Sequence, residues 1–90
     1  MLRITSATGY VEVGSKNSSY AHFGTNRPKY YFDKRVIVNE GIIGSYDEDL
    51  ILHTDITEER IRIHNDTGNV GINTTVAEGK FVIGGDLSLI

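Results

Sequence analysis

The sequence predicts an all-β fold, and three observations lead there. Apolar and polar residues alternate along most of the chain, turn residues punctuate the alternating runs, and no stretch sustains a helical period. The best helical candidate, "DITEERI" at 55–61, has a capping-box pair in Asp55 and Glu58. It is too short to hold without tertiary support and runs into an alternating segment, so it reads as a turn.

In chain order, "YVEVG" (10–14) sets Val11 and Val13 against Tyr10 and Glu12. "KYYFDKRVIV" (29–38) is β-branched and aromatic, opened by Pro28 and closed by "NEG", and is expected to be the longest and best-paired strand. "GIIGS" and "KFVIGGDLSLI" add shorter pieces broken by glycine. "DLILHT" (49–54) sets Leu50 and Leu52 against Ile51 and His53, and "RIRIH" (60–64) sets Ile61 and Ile63 against Arg60, Arg62 and His64.

Ninety residues make one small domain or a segment of a longer chain. Small folds add disulfides, a metal or oligomerisation, and this chain has no cysteine for the first. No apolar run reaches the roughly 20 residues of a membrane helix, and no signal-peptide layout opens the chain, so no membrane insertion is expected. A net charge of −3 with mixed signs offers no basic stripe, which argues against nucleic acid as a partner.

The chain also repeats itself. "LRITSATGYVEVG" (2–14) aligns without a gap on "IRIHNDTGNVGIN" (61–73), and "KRVI" (34–37) matches "KFVI" (80–83). One segment, 1–90, with two copies at 2–38 and 61–90, is therefore expected. In both copies "TG" lies between alternating runs, where Gly9 and Gly68 can supply the positive φ of a tight turn. A phosphate loop would need a helix after "NDTGNVGINTT", and none follows.

"DTGNVGINTT", a short spacer, "KFVI" and "GGDLSL" resemble TGNVGIGTT-type segments in the shafts and C-terminal stems of bacteriophage tail fibres, tailspikes and neck appendages. Residues 65–88 carry this most clearly. "YVEVGSKNSSYAHFGTNRPKYYFDKRVIVNEGIIGS" is also similar to such stems. Asn73 stands where glycine is common, and "VAEG" where an asparagine-proline or serine-proline spacer is usual. The resemblance implies an elongated homotrimeric β-structure in the virion, near the distal end of a fibre and often followed by a cleaved intramolecular chaperone. No chaperone is recognised in this chain, and its end within an apolar alternation is that expected of an excised or processed piece.

The physics agrees with a trimer. Isolated hairpins are marginal in water. Three chains around one axis would set the faces of Val11, Val13, Leu50, Leu52, Ile61, Ile63, Val70 and Ile72 against one another and pair exposed edges. A monomeric sandwich is the alternative.

Chemistry finds little support. The acids of "DED" (47–49) and Glu58–Glu59 read as turn ends rather than carboxylates across a cleft. His22, His53 and His64 have no Asp or Cys at a ligand interval, although His53 or His64 gathered on a trimer axis is an ion site to consider. No catalytic residue, cofactor or metal is expected. "SSYAHFGTNRPKYYF" (18–32) gathers Tyr20, His22, Arg27, Tyr30 and Tyr31, side chains suited to sugar rings and hydroxyls. These five are the candidate contacts to a host polysaccharide, although aromatics in small β-folds commonly pack as core. The expected function is a non-catalytic structural segment of a trimeric phage fibre, supporting or forming the host-adsorption end. A carbohydrate-binding module is the alternative, and the stem of a polysaccharide-degrading tailspike comes third.

Overall fold

A computed structural model describes residues 1–86, and the end of the second repeat copy, 87–90, lies outside the described residues. The described chain is all-β with no helix. It divides into two compact units, Met1–Ile37 and Val38–Ile90.

The first unit is one antiparallel sheet of β1 (Leu2–Ser6), β2 (Gly9–Gly14) and β3 (His22–Thr25), in that order. Strand β1 hairpins onto β2 through Ala7 and Thr8, with Leu2 opposite Val13 and Ile4 opposite Val11. The second unit is a four-stranded sheet of β4 (Leu50–Thr54), β5 (Glu58–Ile63), β6 (Val70–Ile72) and β7 (Phe81–Ile83), also in chain order. Its first three strands are antiparallel, while β7 runs parallel to β6.

The repeated hairpin keeps its register. In the first copy the pairs are Leu2↔Val13, Arg3↔Glu12 and Ile4↔Val11, and in the second the aligned residues pair as Ile61↔Ile72, Arg62↔Gly71 and Ile63↔Val70. The turns differ in length but both rely on glycine: φ is 156° at Gly9 and 74° at Gly68. The Gly68 amide donates to the His64 carbonyl at 2.8 Å, which closes the turn. A Cβ on Gly68 would meet nothing within 4 Å, so the demand there is conformational alone. Gly68→Val is expected to cost about 1 kcal/mol or more in thermal or denaturant unfolding, and Gly68→Asn distinctly less, because asparagine tolerates the left-handed region.

Residues 55–57 form a turn, but the rest of "DITEERI", expected to belong to that turn, is strand, with β5 starting at Glu58. Asp55 and Ile56 both take left-handed φ, 53° and 69°. For a β-branched isoleucine this is a strained conformation.

Two expectations fail. "KYYFDKRVIV" is not a paired strand: residues 26–49 carry no strand, and among the described residues the one backbone bond that 29–38 makes to another backbone group is that from the Gly41 amide to the Val38 carbonyl. The second half of the repeat therefore matches in sequence and not in structure. "KFVI" docks against β6, whereas the equivalent edge of β2 is already filled by β3, with Val11↔Thr25 and Val13↔Phe23. "KRVI" finds that place taken. "GIIGS" is likewise unpaired.

Each sheet has one apolar face. In the first it carries Leu2, Ile4, Val11, Val13 and Phe23; in the second two rows cross all four strands, Leu50–Ile63–Val70–Phe81 and Leu52–Ile61–Ile72–Ile83. Among the described residues no apolar side chain is buried. The chain exposes 8092 Å². A folded monomer of its mass exposes roughly 5,200 Å², and two separately folded halves roughly 6,300 Å² together, so neither accounts for the area.

Candidate functional site

The five residues expected to contact glycan all lie in the first unit, in two groups. Tyr20 and His22 meet edge to face at 6.1 Å between ring centroids, just before and at the start of β3. The His22 Nδ1 accepts from the Lys16 amide at 3.0 Å, which leaves the proton of a neutral ring on Nε2.

The second group surrounds the turn between β1 and β2. Arg27, Tyr30 and Tyr31 line a shallow hollow with Ile4, Tyr10 and Val11. Arg27 is held there because its Nη1 donates to the Thr8 carbonyl at 3.2 Å and its aliphatic stem covers Gly9. A Cβ on Gly9 would stand 2.7 Å from the Arg27 Cδ, so this glycine also makes room for the arginine. Asn26 fastens the same corner, its Oδ1 accepting from the Tyr10 amide at 2.8 Å. Tyr30 lies 6.4 Å from Phe32 between ring centroids, on the shared side that alternation predicts, while Tyr31 is 92% exposed. The aromatics are thus not core. Arg27, Tyr30 and Tyr31 offer a guanidinium and two ring surfaces to solvent-borne groups.

Ion pairs organise the polar faces. Arg3 donates to its cross-strand partner Glu12 at 2.9 Å, and its guanidinium stacks 3.9 Å over the Tyr10 ring. The Glu12 carboxylate raises the Arg3 pKa further. At the equivalent place in the second sheet Gly71 stands opposite Arg62, because a Cβ there would come within 2.9 Å of the Thr74 carbonyl oxygen. Arg62 turns elsewhere. It grips Glu59 with two bonds, Nε to Oε2 at 3.0 Å and Nη2 to Oε1 at 2.5 Å, and donates from Nη1 to Asp49 Oδ2 at 2.5 Å.

Glu59 and Arg62 are three apart and would face opposite ways on a regular strand. A bulge resolves this: Leu52 pairs with Ile61 and His53 with Glu59, so Arg60 is an extra residue that resets the alternation. The strict alternation expected for "RIRIH" is corrected at Arg60. His64 Nδ1 lies 3.6 Å from the same Asp49 oxygen, and the Asn65 amide donates to the other at 2.8 Å.

This network is sequence-distant and was not anticipated; Asp49 and the glutamate pair read singly as turn ends. The Asn65 amide and then Arg62 hold the Asp49 carboxyl below its usual value, and Arg62 does the same for Glu59. Their folded values lie below the unfolded ones, so their contribution is complete above the ordinary values of 3.8 and 4.5 and is lost as pH falls through the lowered ones. Melting temperature is expected to fall as pH drops below this range, and Arg62→Met is expected to flatten that fall. Because the groups are partly solvated, the effect is modest.

The three histidines do not converge with acids into a metal cluster among the described residues, where no group of three ligating side chains is found. No described helix is long and apolar enough to cross a membrane. No family model matches the chain, and no curated protein or solved structure matches it either.

Proposed function

We propose that the chain is a non-catalytic structural segment of a homotrimeric phage tail fibre or appendage, acting in the virion to support or form the host-adsorption end. The observation that carries this reading is the pair of open apolar faces in a chain with no buried apolar side chain among its described residues. Covering the eight apolar side chains of the second sheet is worth on the order of 10 kcal/mol per chain, at roughly 1.5 to 3 kcal/mol for each full burial and less for those already half covered. The repeat with its constant register, and the likeness of "DTGNVGINTT" to fibre-stem segments, supply the kind of assembly.

Sedimentation is expected to give a mass about three times that of the 10.0 kDa chain, with melting that depends on protein concentration. A monomer stable at nanomolar concentration would reject the reading. The open hollow at Arg27, Tyr30 and Tyr31 favours a second element, contact with host surface polysaccharide, either by the fibre itself or as the work of a carbohydrate-binding module.

A further inference from the structure

We propose that residues 29–37 of one copy pair, as an added strand, with the open β1 edge of a second copy's first sheet. The inference rests on the assembly proposed above and names one of its joints.

Two vacancies in the repeat point to each other. The first is an edge. Strand β5 is flanked on its outer side by β4, but its equivalent β1 has no neighbour there among the described residues, so the first sheet is one strand short of the second. The shortage is visible in exposure: Ile4 is 63% exposed, while its equivalent Ile63, with β4 beside it, is 37% exposed. An open edge of unpaired backbone groups is a template for another chain.

The second is a strand sequence without a sheet. "KFVI" pairs with β6, whereas the matching "KRVI", which opens on a bend at Asp33 and Lys34, pairs with no strand among the described residues and has Val36 59% and Ile37 78% exposed. Together with "KYYFD" it is a run of β-branched and aromatic residues with ungrouped backbone donors and acceptors, which are costly to leave unmade once covered. The place its repeat partner uses is closed to it: the position beside β2 is held by β3, which the segment directly follows, and among the described residues the segment pairs with no edge of its own chain. A second copy presents the same open β1 edge free of that tether. Antiparallel or parallel, the added strand would extend the Leu2 and Ile4 face with one parity of the 34–37 run and complete a four-stranded sheet like the second.

The chain has no cysteine, so disulfide formation can be read without background. Chains carrying Ile4→Cys are co-refolded with chains carrying one cysteine at Lys34, Arg35, Val36 or Ile37, all exposed positions, and oxidised. The expected result is mixed disulfide-linked dimer whose yield alternates along the four positions, high at one parity and low at the other, above that of a Ser15→Cys control. Amide exchange on wild type should show 34–37 protected at assembling concentrations and exchanging freely on dilution. Uniform or absent cross-linking, or unprotected amides in a sedimenting trimer, would overturn the strand pairing and leave the trimer standing. A monomer in sedimentation would remove both.

Discussion

Replacing Ile63 with aspartate is expected to abolish the proposed self-association, leaving a monomer at concentrations where the wild-type chain is expected to sediment as a trimer. Ile63 sits between Leu50 and Val70 in the longer-range apolar row of the second sheet, with Phe81 beyond. In a lone chain it is still 37% exposed, so a carboxylate there keeps much of its hydration and the isolated fold tolerates it. Covered by neighbouring chains, each of three carboxylates would lose water without gaining a partner, a cost of several kcal/mol per chain by the usual penalty for burying unpaired charge. The loss therefore exceeds a tenfold change in association for every chain. The informative control is Ile56→Asp at the exposed turn, where φ of 69° suits aspartate better than isoleucine. That variant should sediment like wild type and melt no lower. Equal behaviour of the two variants would place Ile63 on a solvent face and reject an interface there.

What the sequence made legible is local. Period-two alternation located β2, β4 and β5, and the self-alignment placed the two hairpins and their glycine turns, because hairpin register is set by residues close in the chain. The error at 29–38 has the opposite origin. Its β propensity is high, yet a strand exists only where an edge is free, and the edge its repeat partner uses is occupied by His22–Thr25. Nothing in "AHFGT" announces that competition. The bulge at Arg60 was hidden for a similar reason: it is a property of how β5 meets β4 and of the Arg62 grip on Glu59 and Asp49, which joins residues 13 apart in sequence. At the candidate glycan surface, composition singled out five side chains, and only the structure separates Tyr20 and His22 from the hollow that Arg27, Tyr30 and Tyr31 line.

The largest expected loss of stability within a single chain comes from the smallest substitution, Gly84→Ala. The Gly84 amide donates to the Ile72 carbonyl at 2.7 Å, prolonging the contact between β6 and β7 just past Ile83. A Cβ at this position would stand 2.5 Å from the Asn73 carbonyl oxygen and 3.0 Å from its carbonyl carbon. Both are backbone atoms, and Asn73 is itself fixed in a left-handed conformation, φ 60°, with its amide bonded to the Arg60 carbonyl at 2.8 Å. Neither side can yield by rotating a side chain. Strands β6 and β7 must separate locally, and among the described residues β7 has no second strand to hold it, so overpacking here is expected near the upper end of its usual range, about 3 kcal/mol. Gly44→Ala provides the contrast, since a Cβ there meets nothing within 4 Å. Denaturant melts of the two variants beside wild type, with amide exchange at Val82 and Ile83 as the local readout, should show a large loss with fast exchange for Gly84→Ala and no change for Gly44→Ala. An unaltered melt for Gly84→Ala would mean that β7 does not lie against β6 in the way that seats "KFVI" in its sheet.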